Sequence, residues 1–100
     1  MNNRRAELAQ IISRADEAVK LANNPLLQSI IQSHKADAFN DFALSGLNED
    51  KRRRECWQKL QGFTIVEHSL QALIDEGKMA EGELQEIDAM KPQTNNPLGG

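Results

Sequence analysis

One hundred residues with 39% hydrophobic content are enough for one small domain, and a chain of that size buries roughly 60–70% of its unfolded surface. Twelve Lys and Arg against fifteen Asp and Glu give a net charge of −3, which argues against the positive excess of a dedicated nucleic-acid binder. The one cysteine, Cys56, has no partner for an internal disulfide, as suits a reducing compartment, and no apolar run approaches the ~20 residues that span a bilayer.

The start, Met1-Asn2-Asn3-Arg4-Arg5, has a positive pair with no apolar run behind it, so no secretory leader is expected. From about Arg4 to Ala22, Leu8, Ile11, Ile12, Ala15, Ala18, Val19 and Ala22 recur at spacings of three and four. That spacing predicts an amphipathic helix. Asn23-Asn24-Pro25 breaks it: Asn24 suits an N-cap, and Pro25 suits the first turn of the next helix. The second predicted helix, Pro25 to about Leu44, has Leu27, Ile31, His34, Ala38 and Phe42 on one stripe, widened by Leu26, Ile30 and Phe39. Ser45-Gly46-Leu47-Asn48 ends it, with Gly46 as a C′ residue and Asn48 as the next N-cap.

The third predicted helix runs from Glu49 to Glu76. Cys56, Trp57, Leu60, Phe63, Val66, Leu70, Leu73 and Ile74 supply its inward stripe, heptad-like from Phe63 to Leu73. Gly62 inside it suggests a close helix crossing, because it otherwise costs about 1 kcal/mol against Ala. Gly77 reads as the terminating C′ residue. A short helix from about Glu81 to Met90 follows, and the Pro-, Asn- and Gly-rich stretch Lys91–Gly100 reads as a flexible tail. No internal repeat stands out. The expected organisation is a helical domain over residues 1–90 with a tail over 91–100. The expected fold is all-α: a three-helix antiparallel bundle or a long helical hairpin with an N-terminal helix. Phe39 and Phe42 are expected near Phe63 and Val66, or near Trp57, with Leu8, Ile12 and Val19 closing the bundle.

The candidates for chemistry are few. His34 and His68 have no second histidine or cysteine at ligand spacing and read as packed or half-exposed side chains. Cys56 lies beside Arg52, Arg53 and Arg54, which could lower its pKa, but its stripe position favours a core thiol. The carboxylates from Asp75 to Asp88 follow no metal-loop pattern and read as a solvated face. Lys51-Arg52-Arg53-Arg54 spreads around most of a helix, so a solvated face with an Asp50–Arg54 ion pair is expected ahead of a charge-matched contact or nucleic acid. There is no glycine-rich phosphate loop and no nucleophile motif. No catalytic residue, cofactor or metal is expected.

Asn24-Pro25-Leu26-Leu27-Gln28, Trp57-Gln58-Lys59-Leu60-Gln61 and Leu70 to Ala80, ending Ile74-Asp75-Glu76-Gly77-Lys78-Met79-Ala80, together resemble small helical proteins from the structural-gene region of tailed bacteriophages. The resemblance covers roughly Asn24 to Leu84. It implies a phage-encoded protein in the host bacterial cytoplasm, connected with the virion or its assembly, and carries over no catalytic residues. The expected function is a non-catalytic assembly or minor virion protein acting through helix–helix association with itself or a phage structural protein. The alternative is a small inhibitor or modulator of a host enzyme. Neither nucleic acid nor a membrane is an expected partner. Leu26, Ile30 and Ile65 lie off the main stripes and are the expected contact residues, because apolar side chains left together in the open usually mark an interface.

Overall fold

A computed structural model of the chain describes residues 2–94, with side chains described from Asn3 to Met90. The described residues form three helices in chain order: α1 (Asn2–Ala22), α2 (Pro25–Leu44) and α3 (Asp50–Thr94). Among them there is no strand, and α3 packs against both α1 and α2. No described helix is long and apolar enough to cross a membrane.

The local signals between α1 and α2 act as the sequence predicts. Asn24 is the N-cap of α2 in an extended conformation, its side-chain oxygen accepts from the Leu27 N–H at 3.0 Å, and Pro25 occupies the first turn. This satisfies one of the orphan donors of a helix start. The α2–α3 break also falls where expected, but with different caps. Ser45, extended, closes α2 through its own N–H and hydroxyl on the Phe42 carbonyl. No described glycine has a positive φ, so Gly46 is not the left-handed C′ residue. Glu49, not Asn48, precedes α3, and its carboxylate accepts from the Gly46 N–H at 3.0 Å. The carboxylate satisfies a backbone donor of the turn that precedes α3.

The chain divides into two compact units. The first consists of Met1–Val19 with Ala72–Gly100, of which 2–19 and 72–94 are described. Its helices run antiparallel, because Arg4 pairs with Glu83 while the later Ala15 meets the earlier Gly77. Leu8, Ala15, Ala18 and Ala80 are buried there. Of the expected closing residues Leu8 is buried, Ile12 is half-buried and Val19 is exposed, and the other buried apolar positions described in this unit are alanines. The reason is Gly77. A methyl group there would overlap the Ala15 Cβ, with the Ala15 Cα 3.7 Å away. The glycine is a point of close backbone approach, which places only small side chains beside it.

Gly77 therefore does not end a helix. α3 passes through it to Thr94, and the expected short C-terminal helix is part of α3. A glycine without positive φ weakens a helix by roughly 1 kcal/mol and does not stop it. Gly62, expected at a close crossing, has nothing within 4 Å of the position a Cβ would take. Of the expected tail, the backbone of 91–94 is helical, and 95–100 lie outside the described residues.

The second unit is Lys20–Gln71, mainly α2 against the first half of α3. This pair is also antiparallel: Lys35 reaches Glu67 at 3.0 Å, while the later Asp41 meets the earlier Arg52. The five-residue connection 45–49 sets the register, since residues near one side of a short turn must face residues near the other. Phe42 thus meets Arg53, whose guanidinium lies 4.3 Å from the ring centroid, a cation–π contact. Phe63, further into α3, stacks on His34 at 5.8 Å between ring centroids. The ring contacts seen in this unit are thus Phe42 with Arg53 and Phe63 with His34. Phe39 and Trp57 are 62% and 56% exposed.

Candidate interaction surface of the α2–α3 unit

An open groove of about 530 Å³ runs along one side of α2 and α3, lined by His34, Asp37, Ala38, Asp41, Cys56, Lys59 and Phe63. Helix geometry brings these residues together. On α2, Leu26, Ile30, His34, Asp37 and Asp41 follow at three- and four-residue steps, one stripe of a helix surface. On α3, Arg52, Cys56, Lys59, Phe63 and Val66 do the same.

At its polar end the groove is held by a compact network. Arg52 donates through Nε to Asp41 Oδ1 at 3.0 Å, and its Nη2 is also bonded to that oxygen. Its Nη1 reaches Glu49 at 3.0 Å. The buried Cys56 donates its S–H to Asp41 Oδ2 at 3.1 Å. The Arg52 guanidinium, and then the thiol, hold Asp41 below the usual carboxylate range. The Gly46 N–H and Arg52 do the same for Glu49. The carboxylate of Asp41, with burial second, pushes the Cys56 thiol above its ordinary range. The thiolate is the nucleophilic form of cysteine, and this geometry disfavours it. Cys56 is thus the buried thiol expected from its stripe, and the downward pull of Arg52 on its pKa is outweighed by Asp41 and burial.

The basic run is not a uniformly solvated face. Lys51 and Arg54 are exposed, whereas Arg52 holds Asp41 and Arg53 lies on Phe42 with Nη1 3.1 Å from the Ser45 hydroxyl. Successive residues turn 100° around a helix, so a run of four must turn some members inward. Among the described residues the ion pairs of the run belong to Arg52, with Asp41 and Glu49, not to Asp50 and Arg54. In the acidic stretch, Glu83 is paired with Arg4 at 2.6 Å and Asp88 with Arg5 at 2.7 Å, both in the first unit. Among the described residues no group of three or more His, Cys, Asp and Glu is placed to hold a metal ion.

Leu26, Ile30 and Ile65 are 70%, 46% and 63% exposed, but they do not share one face. Leu26 and Ile30 continue the groove stripe of α2. Ile65 lies two residues, or 200°, around α3 from Phe63, whose ring meets α2; it faces away from α2. Sequence reasoning placed Val66 and Trp57 in the core, and both are exposed. Val66 belongs with Ile30 on the groove side. The signal that could have found it is the antiparallel register dictated by the short turn. No family model, curated protein or solved structure matches the chain.

Proposed function

We propose that this chain is a non-catalytic assembly protein that works by helix–helix association, and that its setting is a phage virion or its assembly in the host bacterial cytoplasm. The observation that carries the association is the apolar surface of the α2–α3 unit. Leu26, Ile30 and Val66 are open on one side, and Phe39 and Trp57 are open elsewhere on the same two helices. Water excluded from such side chains is worth about 1.5–3 kcal/mol for each one fully covered, and apolar side chains grouped on a surface mark protein contacts. The phage setting rests on the resemblance of the segments around Pro25, Trp57 and Gly77. The host-enzyme inhibitor reading draws less support, since Glu83 and Asp88 of its acidic surface are already neutralised by Arg4 and Arg5.

Mass spectrometry of purified virions and of assembly intermediates tests the proposal. A fixed copy number of the chain in either is the expected result. Its absence from both, with a host enzyme co-purifying instead, overturns the assembly reading.

A further inference from the structure

We infer that the groove side of the α2–α3 unit is a homodimer interface, on which a second copy sits with its two-fold axis parallel to the helices. The inference rests on the association reading above and names its partner. The Asp41–Cys56 bond and the His34–Phe63 stack fix which residues lie level across the hairpin. Counting from them, Asp37 lies within one residue of the level of Lys59, Ile30 of Val66, and Leu26 of Leu70.

A two-fold axis parallel to the helices lays α2 of one copy on α3 of the other without changing level. Every pair that is level within one hairpin then recurs between hairpins. Asp37 meets Lys59 of the second copy, Ile30 meets Val66, and Leu26 meets Leu70, and each pair occurs twice by symmetry. The face is therefore self-complementary in both charge and hydrophobicity. Asp37 and Lys59 line the groove from opposite helices, and among the described residues neither has an ion-pair partner. Ile30 and Val66 are both 46% exposed. The product is a four-helix arrangement in which each helix runs antiparallel to both neighbours, a common way to close a helical core.

Sedimentation and light scattering of the full chain across a wide concentration range provide the test, with circular dichroism to confirm retained helix. The wild type should show the mass of two chains. Ile30→Asp should show one. Asp37→Lys and Lys59→Asp should each weaken the dimer by about tenfold or more, because two attractive pairs become repulsive. Mixing those two single variants should restore a two-chain species made of one of each, since every cross pair is again of opposite charge. Should Ile30→Asp unfold, the charge variants carry the test, because Asp37 and Lys59 are exposed. A monomeric wild type, or a dimer indifferent to both charge reversals and their mixing, overturns the interface. Either result leaves the broader association reading to the virion measurement, which does not depend on self-pairing.

Discussion

The two units are each built from two antiparallel helices, yet they pack by different means. In the first, Gly77 lies against Ala15, and Leu8, Ala18 and Ala80 fill the seam. Small residues bring the backbones close, and arginine–carboxylate pairs close the rim. In the second, Ile31, Ala38 and Cys56 are the buried residues, with a polar network at one end of the seam and ring contacts of Phe42 and Phe63 along it. The consequence is seen on the surface. Of the twelve exposed large hydrophobic residues among those described, Val19, Met79 and Met90 belong to the first unit, and the other nine belong to the second. A seam of small side chains can be completed by two helices alone. The second seam leaves apolar side chains of α2 and α3 exposed.

The contrast is tested most severely at the seam of the first unit. Leu8, 1% exposed, is the largest fully buried side chain. Leu8→Ala should cost about 2–5 kcal/mol in urea unfolding. Leu26→Ala, at a 70% exposed position, should stay within about 0.5 kcal/mol. Equal losses would mean that the two units do not differ as described.

The glycines form the next pair. Gly77→Ala should destabilise by about 1–3 kcal/mol, since the added methyl meets a short, rigid side chain and the helices must separate. Gly62→Ala enters open space and should stabilise by about 0.5–1 kcal/mol through helix propensity. The same substitution should thus change sign between the units. Two changes of the same sign in denaturant melts would remove the close crossing at Ala15.

A pH titration sharpens the comparison. Both units contain a carboxylate held below its ordinary range, Glu83 by Arg4 and Asp41 by Arg52 and then Cys56. Each such contact is fully present above the unfolded carboxylate range, about 3.9–4.3, and is lost as pH falls through the lower folded value. The second unit alone should also respond to base. The Cys56 pKa is raised, so its contact with Asp41 is fully present below the ordinary thiol range, near 8.5, and is lost as pH rises through the higher folded value. The alkylation rate of Cys56 should therefore have its midpoint above that of a free thiol, and Asp41→Asn should bring it down. An unshifted midpoint in the wild type would show that the thiol does not bond to Asp41.

The smallest effect is expected at the rim of the first unit. Arg4 and Glu83 are 50% and 39% exposed at their side chains, and water and salt screen such a pair. Arg4→Ala should leave the unfolding midpoint unchanged at physiological ionic strength. A clear loss would give the rim a share in stability that the seam is expected to hold.

What the sequence determined by itself was local. Helix type follows from the three- and four-residue spacing of Leu8 to Ala22 and Leu27 to Phe42. The α1–α2 break and its cap follow from Asn24 and Pro25, because capping needs only neighbouring atoms. The burial of Cys56 was legible from its stripe. Tertiary structure alone decided what each glycine does. Gly62 and Gly77 look alike in a helical pattern, and only a neighbouring helix distinguishes open space from the Ala15 contact. It also decided which apolar residues stay outside. Trp57, Val66 and Phe39 are as hydrophobic as core residues, but a helix that packs against one partner buries only a narrow stripe, and they fall beyond its edge. The Asp41, Arg52 and Cys56 network was likewise invisible in the sequence, because its members are 11 and 15 residues apart and meet only when the short turn at 45–49 sets two helices side by side.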